Sequence, residues 1–234
     1  KYLEVYNNIS SEGAAGITVI GSEIIIDHSI VYSNQGNTHG GILIYNETDD
    51  DPNYENIPKD IIITNSDIYD NTYDQAYWYG YPPEFATGIA IQSFDGGNVT
   101  IDNIKLFNNN GLAGMELGVA GYSTVTNSLF ANNIGHGIIM YTYYDYYVQR
   151  LSIEMTNVTI ADNHSIEDYY GYNWGAGLLC ANLSVSMINS IISNHHTSSI
   201  LTDLEFGYDG CEFNITYSNI EGGFEGEGNI DTDP

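Results

Sequence analysis

Ile63-Thr64-Asn65-Ser66-Asp67-Ile68-Tyr69-Asp70-Asn71 is the stretch whose reading decides the fold. The same nine-residue pattern returns at 26–34, 101–109, 125–133, 155–163, 187–195 and 215–223, with a partial copy ending at Asn8. Its ninth position falls on Asn8, Asn34, Asn71, Asn109, Asn133, Asn163, His195 and Gly223, at steps of 24 to 38 residues. A constant motif at variable spacing predicts a solenoid of eight turns. A turn of 24 residues accommodates three short strands and three bends at about 3.3 Å per residue, and the excess in longer turns leaves as loops.

The third position of the motif points the same way. It holds His28, Asn65, Asn103, Asn127, Asn157 and Asn189 before giving way to Tyr217. Stacked turns set such amides about 4.8 Å apart, close enough to hydrogen-bond along the stack and to satisfy backbone groups at the bends. Two asparagine ladders are therefore expected, with Asn8, Asn157 and Asn163 facing inward.

With these residues in view, the chain resembles the right-handed parallel β-helix family of secreted and surface proteins and polysaccharide-acting enzymes. Repeats in that family often run hydrophobic residue, Asn-Ser, hydrophobic residue, Asn. The closing Tyr217-Ser218-Asn219-Ile220-Glu221-Gly222-Gly223 looks like a final coil of secreted bacterial members. The resemblance covers nearly the whole chain and implies an all-β, single-domain right-handed parallel β-helix of about eight coils over 1–234. It says little about activity, because one fold hosts many sites.

Composition narrows the partners. Thirty-one acidic residues face four basic ones, Lys1, Lys59, Lys105 and Arg150, giving a formal charge of −27. Nucleic acid and anionic lipid are repelled by such a surface, and a polyanionic polysaccharide is too unless calcium bridges the two. No run approaches 18 apolar residues, so membrane insertion is not expected. Lys1 opens the chain in mid-coil and without methionine, which predicts a processed mature protein or a fragment of a longer secreted one. Cys180 and Cys211 lie about one coil apart, a spacing that fits either a disulfide staple or two separate buried thiols.

Loops supply the candidate contacts. The loop after Asn46 carries Asp49, Asp50 and Asp51, a calcium site if Glu47 or Glu55 and loop carbonyls converge on them. The largest insertion holds Tyr73, Tyr77, Trp78, Tyr79, Tyr81 and Phe85. Tyr141, Tyr143, Tyr144, Tyr146 and Tyr147 form a second aromatic segment, and Tyr169, Tyr170, Tyr172 and Trp174 a third. Aromatic faces with polar tips suit protein interfaces and sugar stacking, or pack on their own solenoid. Coils four and five are compact, which argues against a site dug into them. His195-His196 reads as hydrogen-bonding in a bend.

Catalysis is not the expectation. Gly135-His136-Gly137 matches one element of polygalacturonase-type β-helices, but the accompanying aspartate and Arg-Ile-Lys elements are missing. Asp70 and Asp162 share a motif position three coils apart, roughly 14 Å at the strand spacing, beyond the 5 to 9.5 Å that glycoside hydrolysis needs. Lyase chemistry needs a cation to hold the carbanion, and no basic cluster exists to supply one. Asn-x-Ser/Thr triplets begin at Asn8, Asn46, Asn98, Asn157, Asn163, Asn182 and Asn214; Asn46, at the mouth of a loop, is the expected glycan acceptor.

The sequence thus predicts an extracellular or cell-surface structural protein. It would self-associate, or bind another surface protein, through coil ends and tyrosine-rich loops, as a filament, surface layer or adhesin stalk. The alternative is a polysaccharide-binding or polysaccharide-cleaving module.

Overall fold

A computed structural model describes residues 2–11, 13–46, 57–73, 87–142, 151–164, 166–167, 173–174, 176–193, 195, 198–202 and 210–232. Among these residues the chain is all-β and contains no helix. Three parallel sheets account for nearly all of it.

Sheet 1 stacks Leu3–Tyr6, Ser29–Tyr32, Asp67–Tyr69, Lys105–Phe107, Leu129–Ala131, Thr159–Ala161, Ile191–Ser193 and Asn219–Ile220 in chain order. Sheet 2 stacks Ile17–Ile20, Ile42–Asn46, Ile89–Ser93, Asn110–Val119, Ile134–Tyr141, Ala176–Ala181 and Ser198–Thr202, with the short Gln35–Gly36 and Thr72–Tyr73 beside them. Sheet 3 stacks Ile24–Asp27, Ile61–Thr64, Val99–Asp102, Ser123–Thr126, Leu151–Thr156, Leu183–Ile188 and Glu212–Thr216. The chain visits sheets 3, 1 and 2 in rotation, and each circuit lays its strands in register on the circuit before. Outside the stack, Ile166–Glu167 pairs antiparallel with Asn173–Trp174.

The corner between sheets 3 and 1 is nearly invariant. Two residues make it in six circuits, beginning at Asn65, Asn103, Asn127, Asn157, Asn189 and Tyr217, and the first residue is left-handed each time, with φ of 51 to 56°. Asparagine tolerates that region better than other side chains, which is why the motif keeps it there. By contrast, the long connections 47–60, 74–88, 142–150, 162–175 and 203–211 all enter or leave sheet 2.

Inward residues of the three sheets form one apolar cluster running from Ile26 to Ile220. Period-two alternation places Val31, Ile68, Leu106, Phe130, Ile160 and Ile192 on sheet 1's inner face, all fully buried. Each such side chain contributes about 1.5–3 kcal/mol by leaving water.

Polar ladders line this core. At the ninth motif position, Asn34, Asn71, Asn109, Asn133 and Asn163 are completely buried. Each accepts two hydrogen bonds on Oδ1 from the preceding rung: Asn71 N and Nδ2 reach Asn109 Oδ1 at 3.1 and 3.0 Å, and Asn109 N and Nδ2 reach Asn133 at 3.0 and 3.1 Å. A second buried ladder runs at the fourth position, where Ser66, Ser128, Ser190 and Ser218 accept from backbone N–H groups of the preceding circuit. Each of these hydroxyls also donates to the carbonyl two residues earlier.

The third-position ladder lies outside, contrary to expectation. Asn103 Nδ2 donates to Asn65 at 2.8 Å and Asn157 Nδ2 to Asn127 at 3.0 Å, but these side chains are exposed, because the left-handed corner turns them away from the core. Asn157 therefore does not face inward. Asn8 is also exposed, although it donates to Asn34.

Glycines make the next corner, between sheets 1 and 2, tight. Gly16, Gly41, Gly88 and Gly114 follow one another up the stack, and a Cβ on Gly41 would lie 2.2 Å from Gly88 O, one on Gly88 2.4 Å from Gly114 O. No side chain fits there. At the C-terminal end, Asn229 Oδ1 accepts from Ser218 N at 3.0 Å, and Phe224 packs edge-on against Phe213. Residues 221–232 thus fold over the last circuit.

Candidate functional site

The long connections begin or end at sheet 2, whose outer face differs from those of the other sheets. Leu43, Ala90, Glu116, Ile139 and Leu179 follow in register along one outward column. An outward face of a solvated sheet alternates polar residues; this one forms an apolar cluster with Ala113, Leu112 and Tyr141. Glu116 sits in that cluster with only 6% of its surface exposed.

Two side chains hold the buried carboxylate. Gln92 Nε2, one circuit before, donates to Glu116 Oε1 at 2.9 Å, and the Tyr141 hydroxyl, one circuit after, donates to the same oxygen in a short hydrogen bond. Tyr141 reaches back because its register partner Gly118 has no side chain: a Cβ there would lie 2.8 Å from the Tyr141 ring. A carboxyl group taken out of water requires such hydrogen-bond partners, because an unpaired buried polar group is costly. Among the described residues Glu116 is the only carboxylate on this outward face, so they do not supply the pair that glycoside hydrolysis uses.

Two histidines are buried along the same side. Desolvation lowers both His39 and His136 to about 4, so both are neutral at pH 7. At the bend between sheets 2 and 3, the buried Asp95 carboxylate accepts from Lys59 N at 3.0 Å and Gly97 N at 3.0 Å, with Lys59 Nζ at 3.5 Å. This pair has a structural explanation: it closes the turn.

The sequence candidates scatter. Tyr73 is buried in a short strand paired with Gly36, and Tyr141 joins the Glu116 cluster. Trp174 ends the antiparallel pair. Tyr77, Trp78, Tyr79, Tyr81 and Phe85 lie outside the described residues, as do Tyr143, Tyr144, Tyr146, Tyr147, Tyr169, Tyr170 and Tyr172. The calcium candidates Asp49, Asp50 and Asp51 lie outside them too. Cys180 and Cys211 form a disulfide, with Cα atoms 5.9 Å apart, which ties sheet 2 to the start of the last sheet 3 strand. His195 Nε2 is bonded to Ile160 O at 3.1 Å.

One expectation is corrected. Asn46 is not presented to a glycan transferase: it is fully buried, and its Oδ1 accepts from Ser22 N at 3.0 Å. It is the last residue of its strand, and its side chain is turned into the stack. Glu116 lies on the face of the sheet and not in an insertion.

Sequence reasoning also missed an aromatic column. Tyr6, Tyr32, Tyr69 and Phe107 stack along sheet 1 with ring centroids 4.9 to 5.0 Å apart and planes within 10°. The seventh motif position carried the signal. The rings cover each other's faces, so the column presents edges to solvent and suits bracing more than sugar stacking. The Tyr32 and Tyr69 hydroxyls are pushed above their ordinary value, chiefly by desolvation.

No protein-family model matches the chain, and comparison with curated proteins and with solved structures returned no match.

Proposed function

We propose that the three sheets are the faces of one right-handed parallel β-helix of about eight coils, and that it works outside the cell as a structural or adhesive rod. The observation that carries this reading is the division of labour between faces. Sheets 1 and 3 meet at a corner of two residues in six circuits, braced by ladders, whereas the long connections begin or end at sheet 2. A stiff shaft with one variable, loop-fringed side suits a protein that holds a contact surface at a fixed position. The Cys180–Cys211 disulfide supports the location, since such bonds persist in oxidising compartments.

Partners on this reading are other copies of the chain or another surface protein, met through the fringe of sheet 2, with calcium as a candidate bridge at the 47–60 loop. Electron microscopy and sedimentation, with and without calcium, test it. Ordered fibres or sheets are expected; a monomer at high concentration in every salt and calcium condition would sink it.

A second reading, a polysaccharide-binding module, draws on the Glu116, Tyr141 and Gln92 cluster, where hydrogen-bonding groups meet an apolar floor. A panel of neutral and acidic glycans tests it. Binding that is lost in Tyr141→Phe without loss of folding favours it, and an empty panel counts against it.

A further inference from the structure

Seven Asn-x-Ser/Thr triplets are spread along the chain, and the structure separates them. Asn46 and Asn163 are fully buried. Asn8, Asn98 and Asn157 are exposed, but each already donates its Nδ2: to Asn34 at 2.9 Å, to Asp60 at 3.3 Å and to Asn127 at 3.0 Å. Asn182 is half-buried in a left-handed corner, with φ of 59°. Asn214 differs from all of these. It is exposed on the strand Glu212–Thr216, and its carboxamide makes no hydrogen bond to any described residue.

Its surroundings favour access. Alternation along the strand turns Ile215 into the core and leaves Asn214 and Thr216 on the same outward side. The strand is the last of sheet 3 and pairs with Leu183–Ile188. On its other side the C-terminal segment covers the main chain, with Asn229 Nδ2 donating to Ile215 O at 2.9 Å, while the Asn214 side chain stays on the outer face. The two groups that define the triplet, the asparagine amide and the hydroxyl two residues on, are thus presented together on the outward face of the strand.

We propose that Asn214 is the N-glycan acceptor of the folded chain. The donor is an oligosaccharide on a lipid pyrophosphate. The bond from Nδ2 to the sugar C1 forms as the bond from C1 to the pyrophosphate oxygen breaks; the amide gives up one proton and the lipid pyrophosphate departs. In the cell this rests on the extracellular reading, because the transfer occurs on the export route.

Purified, folded, disulfide-intact protein is incubated with an oligosaccharyltransferase and its lipid-linked oligosaccharide, then mapped by mass spectrometry. One glycopeptide, carrying Asn214, is expected. N214Q and T216A abolish it, T216S keeps it, and N214Q leaves the melting temperature unchanged. An unmodified Asn214 peptide, in a reaction that glycosylates a control acceptor, overturns the proposal, as does transfer to another triplet instead. Because the enzyme is added to purified protein, the outcome does not depend on where the chain resides. Fractionation of the cells that make it tests the extracellular reading separately.

Discussion

Asn71 Oδ1 accepts hydrogen bonds from both the backbone N–H of Asn34, at 3.1 Å, and the Asn34 carboxamide, at 3.0 Å, across 37 residues of sequence. One side chain thereby satisfies two donors of the preceding circuit. Its own Nδ2 reaches back to the Val31 carbonyl and on to Asn109. Backbone groups at this bend sit in the core, away from water, so the rung supplies what solvent cannot.

Replacing a middle rung should therefore cost far more than replacing an exposed one. Asn109→Ala strands two donors of Asn71 and the carbonyl of Ile68, and we expect a loss of about 3–5 kcal/mol from several buried groups left unpaired. Asn103→Ala on the outer ladder should cost about 1 kcal/mol or less, since water replaces its partner. Urea unfolding of the two variants checks this, and equal losses would refute the distinction between ladders.

The glycine corner makes a steric prediction. In Gly88→Ala the new Cβ meets the Gly114 carbonyl oxygen, part of a backbone that cannot step aside without opening the stack. A destabilisation of about 3 kcal/mol or more is expected from this overpacking. Gly96, in open space with φ of +87°, is a control: Gly96→Asn should cost about 1 kcal/mol, because asparagine tolerates the left-handed region. Thermal melts that rank the two in the opposite order would contradict the corner's role.

Acid should weaken the fold well above the carboxylate range. His39 and His136 ordinarily titrate at 6.5 but are held to about 4 by burial, so between those values the unfolded chain binds more protons than the folded one. Stability is then constant above about pH 6.5, falls as pH drops towards 4, and the two groups together account for about 6 kcal/mol across that window. Asp27, whose carboxyl is held below its ordinary 3.8 by hydrogen bonds from Asn65, His28 and Thr64, adds a separate loss below about pH 4. Urea midpoints from pH 7.5 to 4.5 measure the first loss. His136→Gln should flatten the slope, and an unchanged slope would rule out that histidine as its source.

Reduction should loosen the C-terminal circuits. The disulfide closes a segment of 31 residues, and removing the cross-link restores entropy to the unfolded chain worth about 3–4 kcal/mol. Hydrogen exchange in Leu183–Ile188 and Glu212–Thr216 should accelerate on reduction, while Val99–Asp102 stays protected. Uniform acceleration along the stack would mean that the circuits do not melt locally.

The repeat at Ile63 to Asn71 was enough to expect stacked parallel strands, because its apolar residues alternate and its asparagines recur at an interval that a single circuit can span. Which asparagine faces the core was not legible. Asn65 and Asn71 look alike on paper, and only the left-handed turn at Asn65 sends one outward while Asn71 stays within. The same holds for Asn46, whose place at the mouth of a loop conceals that it is the buried end of a strand.

By itself the sequence determined the all-β character, the circuit length and the places where the chain makes room for insertions. These depend on local pattern and on a period that any copy of the motif carries. Tertiary structure alone decided that Gln92, Glu116 and Tyr141 meet, that Tyr6, Tyr32, Tyr69 and Phe107 form a column, and that Cys180 bonds to Cys211. Each of those contacts depends on which residue of one circuit lies above which residue of the next. That register is a property of the stack and is written in no single circuit.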